Sequence, residues 1–307
     1  MKDTVVSVLS EIVPDGVRQG EMDRGGRVVR WVEAGVGTPV VLLDAGLAEP
    51  GSLAWAAVMR VIASKTRSIG YDRAGVGLSD AMTPLTLDGE LEDQAALVER
   101  IGDAGCIIVG HSWGGLLAQL TAISHPEVVR GLVLVDPAHE ENYAGVPLRF
   151  KLVDSVTGVA LLAMRRCGLL PRIVRSNFKA YAERLTEDPA LRARFLELYV
   201  SSYGTRAEVA MFATENRLGK NAIPSIREMR AAGSMPEVPI VVLSATTGLP
   251  RPMRDRWTEL QADLVRSHPP GAHVVVESGH AIHQEKPAYV AGVISRMIDD
   301  VRSASGG

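Results

Sequence analysis

The stretch IIVGHSWGGLLAQ, residues 107–119, places a serine between glycines where a buried strand would become a helix. The apolar run at 107–109 is typical of a strand, and helical spacing follows it. Gly110, Ser112 and Gly114 match G-x-S-x-G, the strained turn that presents a nucleophilic serine. An ordinary strand-to-helix turn that contains serine also fits these five residues, so the rest of the chain must distinguish the two.

Length and composition indicate an ordinary globular protein. The 307 residues are 46% hydrophobic and 22% charged, which suits one large domain or a core with an insertion. The net charge of −3 gives no reason to expect nucleic acid as a partner. Two cysteines, Cys106 and Cys167, do not predict a disulfide framework, and Cys106 opens an apolar run typical of a buried residue.

No targeting or membrane segment is predicted. The N-terminal residues 1–16 lack the basic leader, the long apolar region and the cleavage site of a signal peptide. No run of about 18 apolar residues predicts a membrane span. We therefore expect a cytoplasmic protein without a membrane partner, and leave homo-oligomer formation open.

Short apolar runs alternate with helical patterns along most of the chain. Several runs, such as VVLL and LVLV, are apolar on both alternating faces, as strands buried on both sides of a parallel sheet are. The alternation predicts an open α/β sheet. The predicted strands are Arg27–Glu33, Pro39–Ala45, Arg67–Tyr71, Cys106–Gly110, Gly131–Val135, Pro239–Ser244 and His273–Glu277, and the helices lie near 53–64, 87–103, 114–125, 252–266 and 287–302.

One segment interrupts this alternation. Residues 138–235 contain helical patterns and no strand of the same quality. We interpret the segment as a helical insertion, with residues 1–137 and 236–307 forming the core domain.

Four predicted strands end in residues that fit one chemistry. Ligands of open α/β sheets bind beyond the carboxyl ends of the strands, where Ser112, Asp136, His280 and the turn at Gly46 follow their strands. A serine hydroxyl needs a histidine to take its proton and an acid to orient the imidazole.

The tetrahedral oxyanion of such a reaction needs two fixed N–H donors. The backbone N–H groups of Leu47, after Gly46, and Trp113, after Ser112, are predicted to supply them.

The chain resembles the α/β-hydrolase fold family outside 138–235. The motifs that carry the resemblance are VVLLDAGLAEPGSLAW, YDRAGVGLSD, VGHSWGG, GLVLVDPAHEEN and VVVESGHAIHQEKP. Ala45 replaces the histidine that usually precedes the glycine of the oxyanion turn. The resemblance implies a mostly parallel sheet flanked by helices, with 138–235 as a helical cap over the active site.

The acid of the triad has more than one candidate. Family members most often carry it after the penultimate strand, where this chain has no carboxylate before Asp255. A smaller group carries it one strand earlier, at the position of Asp136. We favour Asp136, with Asp255 and Glu140 as alternatives. A turn aspartate before Pro137 would be the structural interpretation of Asp136.

The predicted substrate contacts are Gly46 and, from the apolar block 159–164 of the cap, Leu161 and Met164. The Trp113 indole is expected to line the pocket, because a serine nucleophile does not support the halide chemistry of dehalogenases. The arginines at 165, 166, 172 and 175 fit a solvated face better than an anion site.

No metal and no cofactor are predicted. The sequence has no H-E-x-x-H motif, and four histidines show no paired ligand spacing: His125, His139, His268 and His273. His111 is expected to pack behind the serine, and His283 to be structural.

The predicted function is hydrolysis of a small-molecule, apolar carboxylic ester or lactone through Ser112, His280 and Asp136, with a preference for bulky apolar groups over acetate. Amide or peptide hydrolysis, C–C bond hydrolysis and cofactor-free perhydrolysis are alternatives on the same fold. A ligand-binding receptor that retains the triad is the alternative from another class, and turnover of simple p-nitrophenyl esters would distinguish it from an enzyme.

Overall fold

An eight-stranded sheet forms the centre of the computed structural model, which describes residues 2–102, 105–144, 160–161, 163–204, 206–266, 268 and 271–305. The strand order is β1-β2-β4-β3-β5-β6-β7-β8. β2 runs antiparallel to β1 and β4, and the remaining neighbours pair in parallel. The strands are β1 Arg18–Asp23, β2 Val28–Ala34, β3 Val40–Asp44, β4 Ser68–Asp72, β5 Cys106–His111, β6 Val129–Val135, β7 Ile240–Ala245 and β8 Gly271–Val276.

All seven predicted strands are present, with ends within two residues of the prediction. β1 was not predicted because its sequence, RQGEMD, is polar and only Met22 is buried. It lies at the edge of the sheet and pairs with β2 alone, so it needs no apolar face on both sides.

Helices cover both faces of the sheet. In β3 every residue is buried, and alternate residues belong to different apolar clusters: Val41 and Leu43 to one, Val40 and Leu42 to the other. This is the period of two that sends successive side chains to opposite faces. The helices outside the segment between β6 and β7 are Lys2–Ile12, Gly51–Ala54, Ala56–Ile62, Leu87–Ile101, Ser112–Ser124, Arg251–Arg266, Ile282–Glu285 and Pro287–Ser305.

The described part of the segment between β6 and β7 is helical. Its helices are Glu140–Ala144, Leu170–Leu185, Pro189–Gly204, Arg206–Asn221 and Ile223–Ala232. The Tyr181 hydroxyl donates to the Ala54 carbonyl at 2.8 Å, lies 3.1 Å from the Leu53 carbonyl, and accepts from Ala57 N–H, which ties the segment to the core. The division into core and cap at 138 and 235 stays a prediction.

The described helices include none that is long and apolar enough to span a membrane. Both cysteines are free; Cys106 is buried, as predicted, and Cys167 is exposed.

Candidate active site

The serine turn has the close packing that its glycines predict. Ser112 has a φ of 51°, in the left-handed region, and begins the helix that follows β5. A Cβ on Gly110 would lie 2.4 Å from the Gly114 carbonyl oxygen, and one on Gly114 would lie 2.5 Å from the Ala45 oxygen. Only glycine fits these positions, so the strand, the helix and the turn after β3 can meet behind Ser112.

Strand pairing brings Ser112 and Asp136 to the same edge of the sheet. β5 and β6 are parallel neighbours, with His111 opposite Val135. Ser112 therefore directly follows β5 beside Asp136, which directly follows β6. Both leave the strand with a positive φ, 42° at Asp136. The Ala138 N–H donates to the Ser112 carbonyl at 2.8 Å and joins the two turns.

The Asp136 carboxylate is fully buried and held by several donors. Ala245 N–H, Arg254 Nη1 and Gln261 Nε2 donate to its Oδ1 over 2.9–3.1 Å. His280 Nδ1 lies 2.6 Å from its Oδ2. A buried carboxylate with this number of donors is fixed in both position and orientation.

The contact with Asp136 sets the tautomer of His280. A carboxylate oxygen accepts, so Nδ1 carries the proton and Nε2 keeps the lone pair that a general base uses. Burial lowers the pKa of His280 below its ordinary value, together with the nearby charges of His111 and Arg254, against the opposite effect of Asp136. The imidazole is therefore neutral near neutral pH.

Asp136 is held as the charged form. Burial by itself raises the pKa of Asp136, but the hydrogen bond and charge of His280 and the charge of Arg254 outweigh it, and the pKa falls below its ordinary value. A charged Asp136 stabilises an imidazolium at His280 when that ring takes a proton.

The alternative carboxylates lie elsewhere. The Asp255 side chain is 70% exposed and faces Arg251 at 3.9 Å. Glu140 is buried, but it pairs with Arg230 at 2.6 Å and lies 3.4 Å from His139. Of the three candidates, Asp136 is the one that the structure brings to His280.

The backbone N–H groups of Leu47 and Trp113, the two predicted oxyanion donors, have no acceptor among the described residues. Their neighbours Ala48 and Gly114 donate to Glu215 and the Ala45 oxygen. Trp113 is the second residue of its helix, where an N–H has no partner within the helix.

Sequence reasoning missed an ion cluster behind the oxyanion turn. Arg73 donates to Asp44 and to the carbonyl oxygens of Ala45 and Gly46 over 2.5–2.8 Å. It also donates to Glu215 at 3.0 and 3.2 Å. Arg73 lies in the motif YDRAGVGLSD, which does not reveal its partners, and Glu215 has no sequence signal because its partners lie far away in the chain.

The prediction that the Trp113 indole lines the pocket is wrong. The side chain is fully buried, packs with Leu87, Leu91 and Leu116, and donates from Nε1 to Glu90 at 3.2 Å. Burial raises the pKa of Glu90 well above its ordinary value, and the negative charge of Glu215 adds to this shift. The backbone N–H of Trp113 does not depend on where its indole lies.

Three imidazole rings lie in a row, with His111 between His280 and His283. The His111 ring lies 4.6 Å from the His280 ring and 4.4 Å from that of His283. His111 packs behind the serine turn, as expected, and its Nε2 donates to the His280 carbonyl at 3.1 Å. His283 is fully buried against Trp55, and burial lowers its pKa well below the ordinary value.

The predicted substrate contacts are placed only in part. Gly46 lies in the turn beside the His111 ring. Leu161 is half-buried against the larger apolar cluster, and Met164 is 36% exposed. Residues 159 and 162 of the same apolar block lie outside the described residues, so the role of the block stays a prediction. Arg175, in the basic stretch, pairs with Glu197 on the surface, as a solvated face does.

A model of the alpha/beta hydrolase family matches residues 25–293 of the chain. Epoxide hydrolase 4 of Mus musculus is 31% identical over 123 residues, covering 39% of this chain and 34% of the relative. Lipase LipV of Mycobacterium tuberculosis is 42% identical over 67 residues, covering 22% of this chain and 26% of the relative. The chain therefore matches about a third or less of the length of these relatives.

Similarity to solved structures extends over nearly the whole chain. The Cif epoxide hydrolase from Acinetobacter nosocomialis superposes with a TM-score of 0.75 at 16% identity, covering 97% of this chain and 95% of that one. The thioesterase domain from the curacin biosynthetic pathway superposes with a TM-score of 0.62 at 18% identity, covering 91% and 99%. At these identities the likeness shows the fold.

Proposed function

The chain belongs to the alpha/beta hydrolase family, and we propose that it is a hydrolase that cleaves carboxylic esters or lactones with Ser112 as the nucleophile. The observation that carries the proposal is the 2.6 Å contact from His280 to the buried Asp136, whose turn adjoins that of Ser112. This contact leaves Nε2 of the imidazole available as a base.

The proposed reaction proceeds through an acyl-enzyme. Ser112 attacks the carbonyl carbon while His280 Nε2 takes the hydroxyl proton, and Asp136 stabilises the imidazolium. The N–H groups of Leu47 and Trp113 bind the oxyanion of the tetrahedral intermediate. The intermediate collapses, His280 protonates the leaving alcohol, and water hydrolyses the acyl-enzyme by the same steps.

Serine chemistry supports acyl transfer over epoxide opening. An epoxide attacked by a serine hydroxyl would leave an ether on the enzyme, and the triad has no means of hydrolysing an ether. A carbonyl compound attacked by the same hydroxyl leaves an ester, which water can cleave. Ser112 therefore favours a carbonyl substrate, although relatives of this chain are named epoxide hydrolases.

The test combines labelling with turnover. We expect a fluorophosphonate to label the protein at one residue and p-nitrophenyl esters to be hydrolysed. Ser112→Ala is expected to lose both while keeping its thermal transition. Labelling that persists in Ser112→Ala would overturn the nucleophile. Stoichiometric labelling without turnover of any ester or lactone would favour a receptor that retains the triad.

The preference for apolar substrates is a separate part of the proposal. Its support is the helical segment between β6 and β7, which includes the half-buried Leu161. We expect kcat/KM to rise with acyl length in a series of p-nitrophenyl esters from acetate to octanoate. A maximum of kcat/KM at acetate would contradict a preference for apolar acyl groups set by this helical segment.

A further inference from the structure

We propose that Glu49, His111 and His283 form a binding site for one divalent transition-metal ion of the zinc type. One ligand atom from each lies within 4.8 Å of the other two. This differs from the prediction of no metal, which rested on ligand spacing along the chain. The three residues come from the turn after β3, the end of β5 and the helix Ile282–Glu285, so no local motif reveals them.

The hydrogen bonds of His111 leave a lone pair in this cluster. Its Nε2 lies 3.1 Å from the His280 carbonyl, and a carbonyl oxygen only accepts, so Nε2 carries the proton. Nδ1 of a neutral ring then has no proton, and among the described residues it has no hydrogen-bond partner although it is buried. A histidine whose second ring nitrogen donates to a backbone carbonyl is held in the way that metal-binding histidines usually are.

A carboxylate oxygen of Glu49, which is also an acceptor, faces the lone pair on His111 Nδ1. Glu49 Oε2 lies 3.8 Å from His111 Nδ1, too far for a hydrogen bond, while Glu49 Oε1 accepts from Gln284 Nε2 at 2.5 Å. Two acceptors that face each other without a donor between them repel, and a cation between them removes the repulsion. The Gln284 contact fixes the carboxylate with Oε2 toward His111.

His283 supplies the third ligand. It is fully buried, and both of its ring nitrogens lack a hydrogen-bond partner among the described residues. A neutral imidazole always offers one lone pair, and leaving it unsatisfied in the interior has a free-energy cost. A metal ion bound by this lone pair would remove part of that cost.

The spacing suits a transition metal after a small movement. An ion at the centre of a triangle with sides of 4.8 Å lies about 2.8 Å from each corner, and zinc bonds to nitrogen are about 2.0–2.1 Å. Each ligand would move by roughly 0.7 Å, within the range of side-chain rotation. A Cβ on Gly46 would lie 3.1 Å from His111 Nδ1 and 3.5 Å from Glu49 Oε2, so the glycine leaves room there.

Two imidazoles and one carboxylate are a ligand set that zinc commonly takes, with water in a fourth position. Softer or harder ions fit less well, because the set has no thiolate and only one carboxylate. The side chain of Glu49 is 11% exposed, which makes it the ligand closest to solvent. Since the ligands must close on the ion, we expect a Kd on the order of micromolar, weaker than that of a complete four-ligand site.

The experiment uses the full chain without an affinity tag, stripped with chelator and dialysed. Zn²⁺ binding is measured by calorimetry, and Co²⁺ serves as a visible-absorption probe of coordination. We expect one equivalent of each metal to bind, an absorption band typical of nitrogen and oxygen ligands, and a rise in Tm with Zn²⁺. Absence of stoichiometric binding to the wild-type chain would overturn the proposal.

The Kd for Zn²⁺ in single-residue variants tests whether the ion binds at this cluster. Glu49→Gln keeps the shape of the side chain and removes the ligand charge, and we expect the Kd to rise at least tenfold. Glu127→Gln is the matched control, since Glu127 lies 3.7 Å from His125 on the surface and the described residues place no third ligand beside this pair. Its Kd should equal that of wild type. His283→Gln is a second test, and where it does not fold, Glu49→Gln decides. Unchanged binding in Glu49→Gln would place the metal elsewhere and refute the site.

Discussion

Glu215 and Arg73 form a buried ion pair, with Arg73 Nε 3.0 Å from the Glu215 carboxylate, that joins the helical segment between β6 and β7 to the oxyanion turn. The other oxygen of Glu215 accepts from the Ala48 N–H, and Arg73 holds the carbonyls of Ala45 and Gly46. The residue between these anchors is Leu47, whose N–H is the proposed oxyanion donor.

Glu215→Ala is therefore expected to lower kcat by about 10- to 100-fold with little change in KM, less than the loss of a whole oxyanion donor. The turn loses its anchor, and the misplaced N–H affects the transition state more than the bound substrate. Glu215→Gln retains an acceptor for Ala48 N–H and should recover part of kcat. Thr214→Ala serves as control, since Thr214 is a half-buried neighbour whose hydroxyl donates to the Ala210 carbonyl of the same helix. Normal kcat in a folded Glu215→Ala would show that the turn holds without this carboxylate.

Asp136→Asn is expected to lower kcat by at least about a hundredfold. Where the amide N–H faces Nδ1, His280 loses its preferred tautomer, and in either orientation of the amide the imidazolium loses its charged partner. Asp255→Asn should change kcat by less than tenfold, because that side chain is 70% exposed. Steady-state kinetics measure kcat of the two variants, and melting curves that match wild type show that both are folded. The reverse order of the two effects would assign the acid to Asp255.

In the proposed reaction, the pH dependence of kcat/KM measures the protonation of His280, the general base. His280 must be neutral to accept the proton of Ser112, and its pKa lies below the ordinary value because burial disfavours the charged ring. Activity should be fully present at neutral pH and fall as the pH drops through a midpoint below about 6.5. The free-enzyme profile is measured with a substrate that has no ionisable group. A midpoint above 6.5 would mean that the charge of Asp136 outweighs burial.

Gly114→Ala tests the close packing behind the nucleophile. Its Cβ would lie 2.5 Å from the Ala45 backbone oxygen, which cannot move without shifting the oxyanion turn. We expect a loss of about 3 kcal/mol or more in the free energy of unfolding, measured with urea. Gly292→Ala is the matched control: the nearest atom to its Cβ is a side-chain nitrogen at 3.9 Å, and it lies within a helix. It should stabilise the fold by up to about 1 kcal/mol.

Trp113→Phe separates the indole from the backbone donor. The variant removes the Nε1–H bond to Glu90 and leaves the Trp113 N–H position unchanged. We expect a loss of about 1–3 kcal/mol in stability, from the unsatisfied buried carboxyl, and a kcat/KM within about threefold of wild type. A changed preference among acyl chains would show that the indole contacts substrate.

The sequence by itself determined seven strands of the sheet and the candidate residues at one edge of it. Short apolar runs predicted seven strands, and several of these runs are apolar on both faces because burial between two layers of helices requires that pattern. Ser112, Asp136 and His280 were candidates because each follows the end of such a strand. β1 was not predicted, because an edge strand with one buried residue carries no such pattern.

Only the tertiary structure decided which carboxylate meets His280, where the Trp113 indole lies, and which groups hold the oxyanion turn. Asp136, Glu215, His111 and His283 have partners that are remote in sequence, and their contacts depend on how separate elements pack. The physical reason is that these contacts join residues far apart in the sequence. Backbone periodicity is local and leaves a mark in the sequence, whereas ion pairs, hydrogen bonds and ligand clusters depend on distances that exist only after the chain has folded.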